Sequence, residues 1–187
     1  MIRNEFEVFK RLNEKLKENN LTLTVIAVGG FVLSHYGIRM TQDVDGFYDE
    51  SEALASIIRE VGNEFGINSP YELWLKNSVE NVNVRPVEDI CDPLYTFSNL
   101  LVLMPPLEYI AAMKLCSGRK QDIEDVASII RLRNIESPKE LKERTIAFNL
   151  GPIDISLLFE AFSAAYGLEW LEKYYLEHED EIIEDYV

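Results

Sequence analysis

The sequence predicts an α/β fold: a small sheet with helices around it, followed by a helical C-terminal region. Apolar, β-rich runs at residues 21–28 and 99–104 lie among segments of helical periodicity in the first half of the chain. Pro105-Pro106 ends the second run, and the periodic segments after it are helical. We therefore expect a core with an N-terminal helix at residues 1–105 and a helical region at 106–187.

The first elements of the core follow from periodicity. An amphipathic helix is expected at residues 5–19, with an apolar stripe formed by Phe6, Phe9, Leu12 and Leu16. The buried strand at 21–28 ends at Gly29-Gly30, and a short helix at 31–36 is stopped by Gly37.

The rest of the core is less regular. A short strand is expected at residues 43–48 and a helix at 50–61, whose acidic start suits the helix dipole. Residues 71–87 are ambiguous, with a strand or two expected around 79–87. Residues 91–98 resemble a loop.

Beyond Pro106 the pattern predicts helices only. Ser137-Pro138-Lys139-Glu140 has the residue types of a helix start: a capping serine, proline at the first position and glutamate at the third. The other expected helices cover residues 107–116, 121–133, 155–166 and 170–177. The aromatic side chains of the last two are expected to form a helical core.

Charge and composition exclude several function classes. The 187 residues carry 33 acidic and 18 basic side chains, a net charge of −15, which disfavours non-specific DNA binding and favours a basic protein as partner. Two cysteines are too few for a disulfide framework, and from the pattern we expect neither a signal peptide nor a membrane-spanning run. We expect a cytoplasmic protein without membrane contact.

The segment from Val25 to Asp45 contains the residues best suited to binding a metal ion and phosphate. A buried strand leads to Gly29-Gly30, and Asp43 and Asp45 follow at a spacing that points both carboxylates to one face of a strand. Two such like charges are costly unless a proton or a cation resolves them. Mg²⁺ or Mn²⁺ accepts these oxygen ligands while it also holds phosphate oxygens, and glycines let backbone N–H groups approach a phosphate.

Other interpretations of the same residues stay open. Positions 41–52 partly match a calcium-binding EF-hand loop, although threonine stands at its first ligand position. The two aspartates also fit a solvated turn, and Gly29-Gly30 fits a plain turn between strand and helix.

Two blocks of sequence resemble the DNA polymerase β-like nucleotidyltransferase superfamily. The first is residues 25–45, with Gly29-Gly30 followed by Arg39-x-Thr41-x-Asp43-Val44-Asp45; the second is residues 106–125, with Met-Lys114-Leu and Arg119-Lys-Gln-Asp122. This form is most similar to small prokaryotic members related to AbiEii-type toxins. The resemblance implies a small mixed sheet flanked by helices, with a helical C-terminal region.

The resemblance also implies an activity. It suggests a Mg²⁺-dependent enzyme that moves a nucleoside monophosphate from an NTP to an acceptor, either RNA or a protein, with a cognate antitoxin as a further partner. Asp43 and Asp45 would be catalytic and would ligate the metal. Contacts to the nucleotide would come from Gly29, Gly30, Arg39, Thr41, Lys114 and Arg119, with Asp122 positioning the last two.

Two departures from the family pattern favour an alternative. Gly46 stands where an apolar strand residue is usual, and the third carboxylate of many active members is not evident. Glu80, Glu88 and Asp89 are the candidates for it. The alternative is a catalytically degenerate relative that binds a nucleotide or a partner protein.

Overall fold

The chain forms two compact units, Met1–Pro106 and Leu107–Val187. The computed structural model describes residues 4–77, 85–180 and 182. Within these residues no helix is both long and apolar enough to cross a bilayer. The first unit contains a mixed sheet with helices and the second unit is helical, so the predicted α/β fold class is confirmed.

The first unit is built on a five-stranded sheet in the order β3-β2-β1-β5-β4. Its strands are β1 (Leu23–Val28), β2 (Val44–Phe47), β3 (Leu75–Lys76), β4 (Asp92–Thr96) and β5 (Leu100–Met104). The pairs β1–β5 and β2–β3 are parallel, and β1–β2 and β4–β5 are antiparallel. The two longest apolar runs of the core therefore become neighbouring central strands, which explains their nearly continuous burial.

Three helices accompany this sheet: α1 (Glu5–Glu18), α2 (Gly30–His35) and α3 (Glu52–Phe65). The predicted stripe of α1 is buried at Phe9, Leu12 and Leu16, in one core with residues of β1 and α3. Phe9 packs edge-on against Trp74, with 5.4 Å between the ring centroids. Ser51 caps α3 by accepting a hydrogen bond from the amide of Leu54.

The expected loop at residues 91–98 is wrong, because Asp92–Thr96 forms β4, an edge strand paired with β5. The strand contains Pro93, which an edge strand tolerates because one side of its backbone needs no partner. The register shifts between Pro93 and Tyr95, as in a β-bulge. The strand expected around 79–87 lies mostly outside the described residues, and 85–87 are not in a strand.

The second unit contains α4 (Leu107–Ser117), α5 (Ile123–Arg133), α6 (Pro138–Ile146), α7 (Ile155–Tyr166) and α8 (Leu168–Glu177). A short 3₁₀ turn at Lys120–Asp122 replaces the start of the helix expected at 121–133. The predicted start of α6 is confirmed, since the hydroxyl of Ser137 accepts a hydrogen bond from the amide of Glu140. The aromatic core is also confirmed, with Trp170 stacked between Phe162 and Tyr174.

These positions exclude the EF-hand alternative. Asp45 lies within β2 and not in a loop between two helices, and the helix before it, α2, is separated from β2 by an irregular segment.

Candidate functional site

Strand β2 brings the two predicted acids to the end of β1. Asp43 immediately precedes β2, and Asp45 lies opposite Val28, the last residue of β1, in the antiparallel ladder. The turn from β1 into α2 begins at Gly29, so this ladder sets Asp45 beside the Gly-Gly turn. Burial raises the pKa of Asp45, and the negative charge of Asp43 adds to this rise.

Both glycines are needed, Gly29 for its backbone conformation and Gly30 because polar side chains lie against its backbone. Gly29 has φ +63°, a conformation that disfavours other residues, and a Cβ atom there would lie 3.4 Å from Oδ2 of Asp45. A Cβ atom on Gly30 would lie 2.8 Å from a guanidinium nitrogen of Arg39 and 3.2 Å from the Thr41 hydroxyl. The structure thus brings Gly29 and Gly30 together with three predicted site residues.

Thr41 orients Asp43. Its hydroxyl oxygen lies 2.9 Å from Oδ1 of Asp43 and 3.3 Å from the backbone carbonyl oxygen of the same residue. Arg39 is exposed, and its positive charge favours the ionised form of Asp45. Arg39 and Thr41 therefore act on different carboxylates of the pair.

Lys76 on β3 is a member of this site that the sequence did not reveal. Because β3 runs parallel to β2, Lys76 lies in register with Asp45. Its ammonium Nζ lies 2.7 Å from Oδ2 of Asp43 and 2.6 Å from a carboxylate oxygen of Glu72. No local motif identifies this lysine, since it meets the aspartates only through strand pairing.

The two aspartates have opposite pKa shifts. Burial by itself would raise the pKa of Asp43, but the hydrogen bonds from Lys76 and Thr41 outweigh it and hold the pKa below its usual value. Burial, with the neighbouring negative charge of Asp43, raises the pKa of Asp45. Lys76, hydrogen-bonded to Asp43 and Glu72, has a raised pKa and stays protonated. The negative charge of Asp43 is therefore well compensated by its hydrogen-bond partners, and that of Asp45 is poorly compensated.

The second unit holds its own charged group, formed by Lys114, Asp122 and Asp125. The ammonium of Lys114 lies 2.6 Å from Asp122 and 2.7 Å from Asp125, and all three side chains are almost completely buried. The hydroxyl of Ser117 and Nε of Arg119 complete the partners of Asp122, at 2.9 and 3.1 Å. This arrangement ties α4 to the start of α5, while the side chain of Arg119 stays half exposed.

A third carboxylate does not join Asp43 and Asp45 within the part of the chain that the structure describes. No group of three or more histidine, cysteine, aspartate or glutamate side chains there has the arrangement of a metal site. Of the three candidates, Glu88 and Asp89 lie in a 3₁₀ turn at Glu88–Ile90, and Glu80 lies outside the described residues.

Gly46, the other departure, has a packing explanation. A Cβ atom there would lie 2.9 Å from the side chain of Val25 and 3.1 Å from the carbonyl oxygen of Ile26. The close approach of β2 to β1 therefore excludes a side chain at this position.

A mixed sheet with a Gly-Gly turn beside an Asp-x-Asp strand is the arrangement that the sequence led us to expect of a nucleotidyltransferase. The family described as "Nucleotidyltransferase of unknown function (DUF6036)" matches residues 4–148, and the chain belongs to this family. No curated protein and no solved structure matches the chain significantly.

Proposed function

We propose that the protein is a Mg²⁺-dependent nucleotidyltransferase that transfers a nucleoside monophosphate from an NTP to a hydroxyl group of RNA or protein. The observation that carries the proposal is the placement of Asp45 beside Gly29, with Asp43 two residues before it and bonded to Thr41, in a member of a nucleotidyltransferase family. In this reaction the acceptor hydroxyl oxygen bonds to the α-phosphorus and releases its proton to water, the bond between the α-phosphorus and the oxygen that bridges it to the β-phosphate breaks, and pyrophosphate leaves.

The donor set suits a hard divalent cation. Mg²⁺ is commonly held by one or two carboxylates together with substrate phosphates and water, so Asp43 and Asp45 are sufficient protein ligands for a metal that arrives with an NTP. Mn²⁺ prefers the same oxygen ligands. When bound, the metal would neutralise phosphate charge and polarise the reacting phosphoryl group.

The remaining residues of the site would hold the nucleotide. Because Gly29 and Gly30 lack side chains, the polar groups of Asp45, Arg39 and Thr41 lie directly against the backbone of the turn, where they would meet the nucleotide phosphates. Arg39, exposed beside Gly30, supplies a positive charge for a phosphate in a protein that is otherwise strongly acidic. Thr41 holds Asp43 in one orientation through its hydroxyl group. Most of the rate enhancement in phosphoryl transfer comes from such positioning and electrostatics.

Lys114, Arg119 and Asp122 belong to the proposal through the family resemblance. The hydrogen bond from Arg119 to Asp122 supports a role for Asp122 in positioning Arg119. Burial of Lys114 between two carboxylates favours a structural role for this lysine over direct contact with a triphosphate.

Transfer of a labelled nucleotide tests the proposal. The full chain is incubated with each α-³²P-labelled NTP, MgCl₂ and either total RNA or a cell lysate, in parallel with Asp43→Asn/Asp45→Asn. We expect labelled RNA or protein with the wild type, no label with the double variant, and no label in EDTA. Asp49→Asn, which removes a highly exposed carboxylate near the same strand, is the matched control and should label as the wild type does.

Equal labelling by the wild type and the double variant would contradict the proposed site. Absence of labelling, together with absence of Mg²⁺-dependent NTP binding by calorimetry, would contradict the proposed function.

A catalytically degenerate nucleotide- or partner-binding protein is the second candidate. It is favoured by the two-carboxylate composition of the site within the described residues. NTP binding that requires Mg²⁺, Asp43 and Asp45 without any transfer to RNA or protein would support this candidate over the enzyme.

The resemblance of residues 25–45 and 106–125 to AbiEii-type toxins adds a proposed biological role. Induced expression of a toxin of this kind should arrest bacterial growth, and Asp43→Asn/Asp45→Asn should relieve the arrest. A cognate antitoxin would then be the partner, and growth that is unaffected by the wild type would contradict this role.

A further inference from the structure

Lys76 is bonded to one of the two carboxylates proposed to hold the metal. Its ammonium lies 2.7 Å from Oδ2 of Asp43, and the Thr41 hydroxyl lies 2.9 Å from Oδ1. Both oxygens of Asp43 therefore have a partner in the protein without any metal. Glu72 accepts a second bond from the same ammonium at 2.6 Å.

A divalent cation and the Lys76 ammonium would need the same carboxylate oxygen of Asp43. A cation coordinated through Oδ2 would occupy the place where Lys76 now donates, and two positive centres so close together repel each other strongly. The lysine is held by strand pairing, in register with Asp45, so its backbone stays beside the site when its side chain moves.

We propose that Lys76 is an internal counter-ion that competes with the divalent cation for Asp43, so that the site takes up metal with the nucleotide in preference to metal alone. The inference rests on the proposed function, because it takes Asp43 and Asp45 as the metal ligands. A triphosphate brings several negative charges, enough to compensate both the metal and the displaced ammonium. Free metal brings only positive charge, and must displace Lys76 without that compensation.

Glu72 makes the displacement reversible. Its side chain is mostly exposed, so its ion pair with Lys76 is weak and solvated. Lys76 can therefore leave Asp43, remain near Glu72 or meet a phosphate oxygen, and return when the nucleotide leaves.

Binding of MnCl₂ in the absence of nucleotide tests the inference without an activity measurement. Free and bound Mn²⁺ are followed by electron paramagnetic resonance for the wild type and for Lys76→Gln and Lys76→Met. We expect both variants to bind Mn²⁺ about tenfold more tightly, a change within the usual range of coupling between two binding events. Unchanged or weaker Mn²⁺ binding by both variants would overturn the inference.

Two control variants separate a local effect from a change in net charge. Lys10→Gln removes the same charge from an exposed position on α1, and Lys76→Arg retains a cation at the site. Both should bind Mn²⁺ as the wild type does. A tenfold gain in Lys10→Gln would mean that net charge, and not Lys76, controls the affinity, and would overturn the inference.

The double variant Asp43→Asn/Asp45→Asn distinguishes the two proposals. If it binds Mn²⁺ as the wild type does, the metal site lies elsewhere and both proposals fail. If it loses binding while the Lys76 variants equal the wild type, only the counter-ion inference fails. Structural damage at Lys76 would weaken binding, so a gain in affinity cannot be attributed to misfolding, and circular dichroism verifies that each variant is folded.

Discussion

Each unit contains a lysine that holds two carboxylates, and the two groups differ in their exposure to water. In the first unit, the exposed side-chain fractions are 21% for Lys76, 37% for Asp43 and 60% for Glu72. In the second unit they are 7% for Lys114, 7% for Asp122 and 10% for Asp125. Each lysine meets two carboxylates, yet only the first group can exchange its partners with solvent, ions or a ligand.

The difference in exposure determines which ion pairs can open to bind a ligand. Water replaces a lost partner at the open group, so its ion pairs contribute little to stability and its partners are exchangeable. At the buried group a lost partner leaves a charge that water cannot solvate, so the same chemistry becomes a structural connection between α4 and α5.

The largest loss of stability is expected when the buried group is broken. Lys114→Met leaves Asp122 and Asp125 without their shared cation, and we expect the free energy of unfolding to fall by about 3–5 kcal/mol. Lys76→Met is the matched change in the open group and should cost about 1 kcal/mol or less. Urea denaturation of the full chain measures both, and equal losses would contradict the distinction between the two groups.

A smaller effect is expected at the turn beside the open group. Gly29→Ala places a side chain on a residue with φ +63° and ψ −135°, and should cost about 1–3 kcal/mol. Its new Cβ atom also contacts Asp45, so Mn²⁺ binding should weaken.

Gly37→Ala is the control for that change. Gly37 has φ +71° but no atom within 4 Å of an added Cβ, so this variant should lose stability and keep its affinity for Mn²⁺. Equal Mn²⁺ affinities in the two variants would mean that the contact with Asp45 has no influence on the site.

The smallest effect concerns the pH dependence of stability. The pKa of Asp45 is raised above its usual 3.8, so its ionisation costs stability as the pH rises through the raised value. Asp45→Asn should therefore increase thermal stability at pH 7, and the gain should disappear in acid, where Asp45 is protonated.

Asp43→Asn should act in the opposite direction. The pKa of Asp43 is lowered, so its charge contributes stability above pH 3.8 that is lost as the pH falls toward the lowered value. The variant should be less stable than the wild type at pH 7, and the difference should shrink in acid. Melting curves from pH 3 to pH 7 measure both variants, and shifts of equal sign would contradict the proposed division of charge.

Local sequence was sufficient for most elements. The stripe of α1, the apolar runs of β1 and β5, and the capped start of α6 each have a periodic or local signal. The first three elements formed within two residues of their predicted bounds, and α6 begins where its cap predicts. β4 has no such signal. Pro93 and the charged neighbours Asp89 and Asp92 resemble a loop, and only pairing with β5 makes the segment a strand.

The candidate site divides in the same way. Gly29, Gly30, Asp43 and Asp45 lie in one continuous segment, so their spacing indicated that they act together, and the family resemblance added Arg39 and Thr41. Lys76 lies 31 positions beyond Asp45, in a segment with an ambiguous pattern, and a two-residue strand is too short for a periodic signal.

By itself, the sequence determined the fold class, the helical second half and the acidic pair beside a Gly-Gly turn, because periodicity and short spacing are properties of the chain. Tertiary structure alone decided which cation meets that pair and how much water each charged group retains. Strand order places Lys76 beside Asp43, and packing buries Lys114 with Asp122 and Asp125. Partner choice and solvation depend on packing between segments of the chain, which local sequence patterns do not specify. Lys76 therefore keeps partners that it can exchange, and Lys114 keeps buried partners that it cannot.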